Sequence, residues 1–347
     1  MTLWNERPDF PGVMKRVNSS PLWYNGNGMM SYNAMLNLLY GGRGTGKTFW
    51  FKAWTLFAAK GETIWMRRYD NEIHDAQDRF IDDLESNGLI DENCEISIEG
   101  NRLLLNDEPR IHFVPLSIST KKKSVPYPNV NQICFDEFIE TRVNRNYLPN
   151  EAEMLLEFIS TVNRYRPDRP EVRTFLIGNK VSWFNPYTSY FKIEPFEGQY
   201  KTYLDGLICV ENYENRQFEE AMKQTRFGKL IAGTRYEQYA IENQSLRDKT
   251  DFIVRRPKDS WPRLNIRMGA QTFGLWTDGQ LLYFSTDFDP SKRTYADRED
   301  LQVQELALKS NEPPVQWLMK FHELGMLRFD NGLCKSTALQ IMLRYWR

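Results

Sequence analysis

The sequence predicts an α/β chain in three parts: an N-terminal α/β domain built around a phosphate-binding loop, a helical linker, and a C-terminal α+β domain. Three observations carry this. An apolar run, Leu36–Tyr40, ends in Gly41–Thr48, G-G-R-G-T-G-K-T, which fits G-x-x-x-x-G-K-[ST] in the strand–loop–helix setting that the pattern demands. A second apolar run ends in two acids, Asp136 and Glu137. Beyond Tyr200 the hydrophobic period changes, and short strands separated by turns replace the longer buried runs.

Length and composition set bounds on function. At 347 residues the chain exceeds one average domain. Its hydrophobic content of 41% and charged content of 26% are those of a folded globular protein. A formal net charge of −1 gives no global attraction to nucleic acid, so any grip on a polyanion has to come from a local basic patch. Cys94, Cys134, Cys209 and Cys334 lie far apart and form no C-x-x-C pair, which argues against a zinc site or disulfide framework and for a reducing compartment. His74, His112 and His322 are isolated, leaving carboxylates as the candidate metal ligands. No apolar run approaches the roughly 20 residues that cross a membrane, and the N-terminus M-T-L-W-N-E-R lacks the pattern of a secretory leader. A protein that stays in the cytoplasm is expected.

Taken in order, residues 1–28 are rich in Pro, Asn and Gly and read as an irregular arm. The phosphate-loop domain is expected over 29–206. Just before the loop, Tyr32 and Asn33 are candidates for contact with a nucleotide base, or for packing under the first strand. Within it, Gly41, Gly42, Gly44 and Gly46, with Arg43 and Thr45 among them, permit the turns that aim successive N–H groups inward. The following helix points its positive end at the same anion. Lys47 is placed to bridge the β- and γ-phosphates of ATP, and Thr48 to ligate Mg²⁺. Phe49–Ala59 is the helix, Gly61 its C-cap, and Thr63–Met66 a second strand that delivers Arg67 and Arg68 to the ligand edge of the sheet.

Strands Glu95–Ile98, Leu103–Leu105 and Ile111–Leu116 turn at Gly100–Asn101 and Asn106–Asp107. Lys121, Lys122 and Lys123 then form a basic loop, suited to the phosphate backbone of DNA or simply to solvent. In Asn131–Glu137, N-Q-I-C-F-D-E, a buried strand carries the Walker B pattern: Asp136 holds Mg²⁺ and Glu137 orients the attacking water. An extra strand between the two motifs, with a Glu directly after the strand-end Asp, points to the additional-strand, catalytic-glutamate ATPases. Helix Glu151–Val162 aligns Met154, Leu155, Phe158, Ile159 and Val162 on one face and leads to Arg164, Arg166 and Arg169. Asn179 ends the buried strand Arg173–Gly178, where it can sense a γ-phosphate or form a turn. A helical linker is expected over 207–250, with its charged helical sequence at Asn212–Ile231. The last part, 251–347, reads as an antiparallel meander of Phe252–Val254, Leu264–Met268, Phe273–Trp276 and Leu281–Ser285, closed by helices Val315–Leu324 and Ser336–Tyr345.

Four stretches say more than a general phosphate-loop pattern: S-V-P-Y-P-N-V-N-Q-I-C-F-D-E-F at Ser124–Phe138, Y-L-P-N-E at Tyr147–Glu151, F-N-P-Y at Phe184–Tyr187 and T-R-F-G-K-L-I at Thr225–Ile231. From about Tyr32 to about Asp300 the chain resembles the DNA-packaging ATPases of phi29-like bacteriophages, which are terminase-like motors. The resemblance implies a pentameric ring on the portal of an empty capsid in the host cytoplasm, driving double-stranded DNA inward by hydrolysing ATP with Mg²⁺. Carried over by motif, Lys47, Thr48, Asp136 and Glu137 keep the roles given above. Arg164 in T-V-N-R becomes an arginine finger acting on a neighbour's nucleotide. Asn179 becomes the sensing residue, although I-G-N-K departs from the family's L-S-N. The resemblance also implies a C-terminal domain similar to a ribonuclease H-like nuclease that has lost its catalytic acids, and Asp278, Asp287 and Asp289 read as turn formers. It does not explain the arm, and it leaves open whether a packaging RNA is used.

The same nucleotide site would serve a helicase or a chromosome-pumping ATPase not tied to a capsid. Strand-separation assays and dependence on a portal discriminate them. A different reading makes the C-terminal half a docking module without chemistry, its aromatic strands a protein-binding face. Arg255, Arg256 and Lys258 are the second basic candidate for DNA.

Overall fold

The computed structural model describes the chain except residues 1–10, 91–93, 119–126, 141–146, 149, 165–169, 181–182, 184, 235–251, 270, 297–300 and 346–347. In chain order the elements are α1 (Pro11–Val17), α2 (Asn27–Ser31), β1 (Leu36–Gly41), α3 (Lys47–Phe57), β2 (Glu62–Arg67), α4 (Ile73–Ser86), β3 (Ile96–Glu99), β4 (Arg102–Leu105), β5 (Glu108–Pro115), β6 (Val130–Asp136), α5 (Glu151–Asn163) and β7 (Arg173–Asn179). There follow α6 (Pro186–Tyr190), β8 (Tyr200–Tyr203), β9 (Ile208–Tyr213), α7 (Arg216–Gln224), α8 (Arg226–Ile231), β10 (Trp261–Met268), β11 (Gln271–Thr277), β12 (Leu282–Ser285), β13 (Thr294–Ala296), β14 (Leu306–Ala307), α9 (Pro313–Glu323), β15 (Leu327–Phe329) and α10 (Gly332–Tyr345). Two compact units result: Met1–Glu140, Glu153–Lys180 and Phe196–Gln244 form one, and Thr141–Ala152, Val181–Pro195 and Ser245–Arg347 the other. Both are discontinuous, unlike the contiguous segments expected.

The first unit is a nine-stranded sheet in the order β3-β4-β5-β2-β6-β7-β1-β9-β8. Its middle, β5 through β9, is parallel, and β1 is buried along its whole length, as a strand covered on both faces must be. Antiparallel pairings finish both sides, β3 and β4 beside β5 and β8 beside β9. The turn between β4 and β5 has Asn106 at φ +52° and Asp107 at φ +61°, the left-handed pair that a tight hairpin needs. Strand β7, which follows the two acids in sequence, lies between β6 and β1 in the sheet.

Several expectations change. The arm is not irregular throughout: α1 buries Val13 and Val17 in the same core as Trp50 and Phe51 of α3, with Tyr24 also inside. Gly61 does not cap α3, which ends at Phe57 with Ala58 as its cap; at φ +78° it instead turns the chain into β2, against the backbone of Asn129. Helix α4 joins the core through Ile73, Ala76, Phe80 and Leu84, where Phe80 meets Trp65 and Phe113 edge-on at 5.0 and 5.8 Å. The sheet also runs past residue 206, because Ile208–Tyr213 pairs with β1 as a strand. Only α7 and α8 therefore remain helical within the expected linker segment that is described.

The second unit holds a six-stranded sheet, β14-β13-β10-β11-β12-β15. Strands β10, β11 and β12 form the expected antiparallel meander, but β13 pairs in parallel with β10, and β15 in parallel with β12, so the sheet is mixed. Phe252–Val254 is no strand; Ile253 makes a single bridge to Phe329. Val315 and Leu318 of α9, with Cys334, Ala338, Ile341 and Met342 of α10, share one core with Ile266, Leu275 and Phe284 of the sheet.

Candidate functional site

Parallel strands put their carboxyl ends along one edge, and in open α/β sheets that edge binds ligands. Here Gly41 of β1 is level with Asn179 of β7, and Asp136 of β6 is level with Ile177 of β7. Arg67 ends β2, the strand on the far side of β6. Four adjacent strands thus bring the loop, Asn179, the two acids and Arg67 together.

Gly44 and Gly46 sit at φ +77° and +83°, where a side chain is strained, so the bend of the loop requires glycine. Lys47 and Thr48 open α3 directly after it. Lys47 is only 4% exposed. Its Nζ donates to the Gly42 carbonyl and lies 3.3 Å from Asn179 Oδ1 and 3.4 Å from Thr45 Oγ1. Burial lowers its pKa to about 7, against the opposing pull of Asp136 and Glu211. Arg43 is exposed at the rim of the loop.

Thr48 Oγ1 donates to Asp136 Oδ1 at 2.9 Å. Arg67 spans both acids, reaching Asp136 Oδ2 at 3.0 Å and Glu137 Oε2 at 2.5 Å. Burial works against the charge of Arg67, but Asp136, Glu137 and Glu72 outweigh it and hold the guanidinium above its ordinary pKa. Glu137 has φ +58°, which turns its carboxylate out of the strand's alternation into the crevice. Arg68 holds this turn from behind, donating to the carbonyls of Glu137 at 3.3 Å and Phe138 at 2.5 Å and to the Glu140 carboxylate at 3.4 Å.

Among the described residues, no group of three or more His, Cys, Asp and Glu side chains could hold a metal unaided. The Thr48 hydroxyl beside the Asp136 carboxylate does fit Mg²⁺, which takes one or two protein oxygens and completes its octahedron with phosphate and water oxygens.

A layer beneath the loop escapes sequence reading. Glu211 of β9 is fully buried and accepts from Tyr24 Oη and Gln199 Nε2, both at 2.9 Å. Tyr24 in turn donates its backbone N–H to the Thr45 carbonyl at 2.8 Å, tying the arm to the loop. Burial raises the pKa of Glu211, and its hydrogen bonds and Lys47 act against that rise. A lone acid inside the strand I-C-V-E-N-Y is the signal that could have found it.

Other expected residues are placed as follows. Asn33 precedes β1, a strand length of about 17 Å from the loop, and Tyr32 packs at a tilt of 36° against Tyr200, ring centroids 5.0 Å apart. Trp23 and Tyr24, assigned to the arm, are the residues against the loop instead. Arg164 is exposed just past α5, its N–H bonded to Ser160 O at 3.0 Å. Lys121, Lys122, Lys123, Arg166 and Arg169 lie outside the described residues. Arg256 stands 3.9 Å above the Trp276 ring and pairs with Asp287 at 3.0 Å, while Arg255 and Lys258 are exposed. Asp278 accepts from the N–H groups of Gln280 and Leu281 at 2.9 and 2.8 Å, and Asp289 from that of Ser291 at 2.9 Å, the bonding of turn formers.

The sequence profile described as Podovirus DNA encapsidation protein (Gp16) matches residues 18–345. The DNA packaging protein of Bacillus phage phi29 is 34% identical over 330 residues, covering 92% of this chain and 97% of the relative. A chain of the bacteriophage phi29 viral genome packaging motor assembly superposes with a TM-score of 0.68 at 32% identity, covering 92% of this chain and 98% of that one. The N-terminal domain of the DNA packaging ATPase from bacteriophage phi29 superposes with a TM-score of 0.50 at 32% identity, covering 57% of this chain and 99% of that one. Matched over nearly its whole length, this chain belongs to the podovirus DNA encapsidation protein family.

Proposed function

We propose that this chain is the ATP-hydrolysing subunit of a pentameric ring motor that moves double-stranded DNA into a preformed capsid through its portal. The carrying observation is the 2.9 Å contact of Thr48 Oγ1 with Asp136 Oδ1 beside a left-handed glycine loop. A hydroxyl and a carboxylate joined at the mouth of an anion cup are what a Mg²⁺-bound nucleotide requires. Family membership and the DNA packaging relative support the role in encapsidation, and the relative described as a packaging ATPase supports the reaction.

Phosphoryl transfer is catalysed mostly by positioning and charge stabilisation. The loop N–H groups cradle the phosphates, and Lys47 exchanges the Gly42 carbonyl for phosphate oxygens. Thr48 and Asp136 hold Mg²⁺, which when bound neutralises charge developing on the β- and γ-phosphate oxygens. Glu137 orients the attacking water, and Arg67 fixes the spacing of the two acids. Asn179, beside Lys47, registers the γ-phosphate. Arg164 completes the site of an adjacent subunit, and Lys121, Lys122 and Lys123 meet DNA phosphates without reading sequence. In the second unit, the antiparallel trio β10 to β12 with parallel β13 and β14 added beside β10 supports the ribonuclease H-like reading.

The test is Glu137→Gln. It keeps the shape of the side chain and the affinity for ATP but should lower turnover roughly 100-fold or more, read by equilibrium binding and phosphate release on the same preparation. Wild-type turnover in the variant would remove Glu137 from the chemistry.

A further inference from the structure

We propose that Trp23 and Phe218 form the docking subsite for the base of the bound nucleotide, taking a purine by its π-face. The inference rests on the nucleotide reading above and deepens it. The two rings come from opposite ends of the first unit's chain, the arm and α7, and meet with centroids 5.7 Å apart at an interplanar angle of 55°. Both lie against the outer wall of the phosphate loop. A Cβ on Gly44 would stand 3.6 Å from Phe218 Cζ, and one on Gly46 would stand 3.6 Å from Trp23 Cε3. The aromatic pair therefore stands about one methyl group away from the loop's two left-handed glycines.

The pair is held in place rather than draped over the surface. Asn215 accepts from the Phe218 N–H at 3.0 Å, capping α7, and donates to the Pro21 carbonyl at 2.9 Å. Tyr24, next in the chain to Trp23, is fixed by its bonds to Thr45 and Glu211. Phe218 is buried, yet Trp23, beside the loop, remains 46% exposed between these anchored neighbours. A base joined through one ribose to phosphates in that loop has to come to rest close to its wall. Stacking on an aromatic face accepts any base, and the larger purines gain more from it.

Binding of Mg²⁺-ATP and of Mg²⁺-tripolyphosphate to the full chain separates the base from the phosphates. Trp23→Ala should weaken ATP binding roughly tenfold or more, the worth of one base stack, while tripolyphosphate binding stays unchanged, and Trp23→Phe should restore most of the loss. Trp23→Ala should also narrow the preference for ATP over UTP. Equal loss of ATP and tripolyphosphate would mean that the indole merely supports the loop, and no loss of either would mean that the base lies elsewhere; both overturn the proposal. If the wild type binds neither ligand, or Lys47→Ala binds both as well as wild type, the nucleotide reading fails and the proposal falls with it.

Discussion

Lys47, proposed to hold phosphate, shows how such a role can cost stability. Its ammonium group is nearly out of water, and burial brings its pKa down to about 7 even against the pull of Asp136 and Glu211, so the folded protein gives up hydration free energy to keep it there. Lys47→Ala should therefore abolish tight nucleotide binding while leaving the melting temperature of the ligand-free protein equal to or above that of wild type. A large fall in that temperature would make Lys47 a structural residue. In the second unit the balance is reversed. Arg267 meets Glu305 twice, at 2.7 and 2.6 Å, and the hydrogen bonds and charge of this arginine hold the Glu305 carboxyl below its ordinary 4.5. A carboxylate with a depressed folded pKa stabilises the protein above its unfolded pKa, and the contribution is lost as pH falls through the folded one. Wild type should accordingly unfold at higher temperature than Glu305→Gln at neutral pH, and the two should converge as acid is added below pH 4.5. A constant gap down to the acid limit would contradict this.

Helix α4 is the clearest case of an element hidden by its own charge. The segment I-H-D-A-Q-D-R-F-I-D-D-L carries four aspartates and no element is expected there from sequence, yet Ile73, Ala76, Phe80 and Leu84 fall at the three- and four-residue spacing of one face and are buried. Phe80→Ala should cost about 3–5 kcal/mol, measured as a shift in urea midpoint at unchanged slope; a cost below 1 kcal/mol would mean that the face is not packed. The elements that were legible, β1, β6 and β7, are continuous apolar runs ending in fixed-spacing motifs, where local sequence and burial agree. Those that were not legible depend on distant partners. Tyr24 finds Glu211 across 187 positions, and nothing in a Pro-, Asn- and Gly-rich arm announces that Val13 and Val17 will be covered by α3. The same reason explains the site itself. Lys47, Thr48, Asp136 and Glu137 were named from their motifs, Arg67 was placed only at an edge, and the layer of Tyr24 and Glu211 was missed.

For the whole molecule, the proposed ring raises the question of how its copies would cooperate. If Arg164 serves a neighbour, Arg164→Ala and Lys47→Ala proteins, each inactive alone, should regain ATPase activity when mixed, because some interfaces then pair an intact loop with an intact arginine. An arginine supplied in this way is worth roughly 10³–10⁵ in rate, so recovery is easily seen, and no recovery in mixtures that co-assemble would confine Arg164 to its own subunit. The sheets bear on what such an interface is made of. Each of them ends in short strands: β3 and β8 have four residues each, β14 has two and β15 three. Stubs of this length offer a second copy almost no row of backbone donors and acceptors to extend. Copies of this chain are thereby steered away from fusing into a shared sheet, the route that leads to fibrils, and in the proposed ring they would meet through side chains, contacts that can be made and released as often as its cycle would demand.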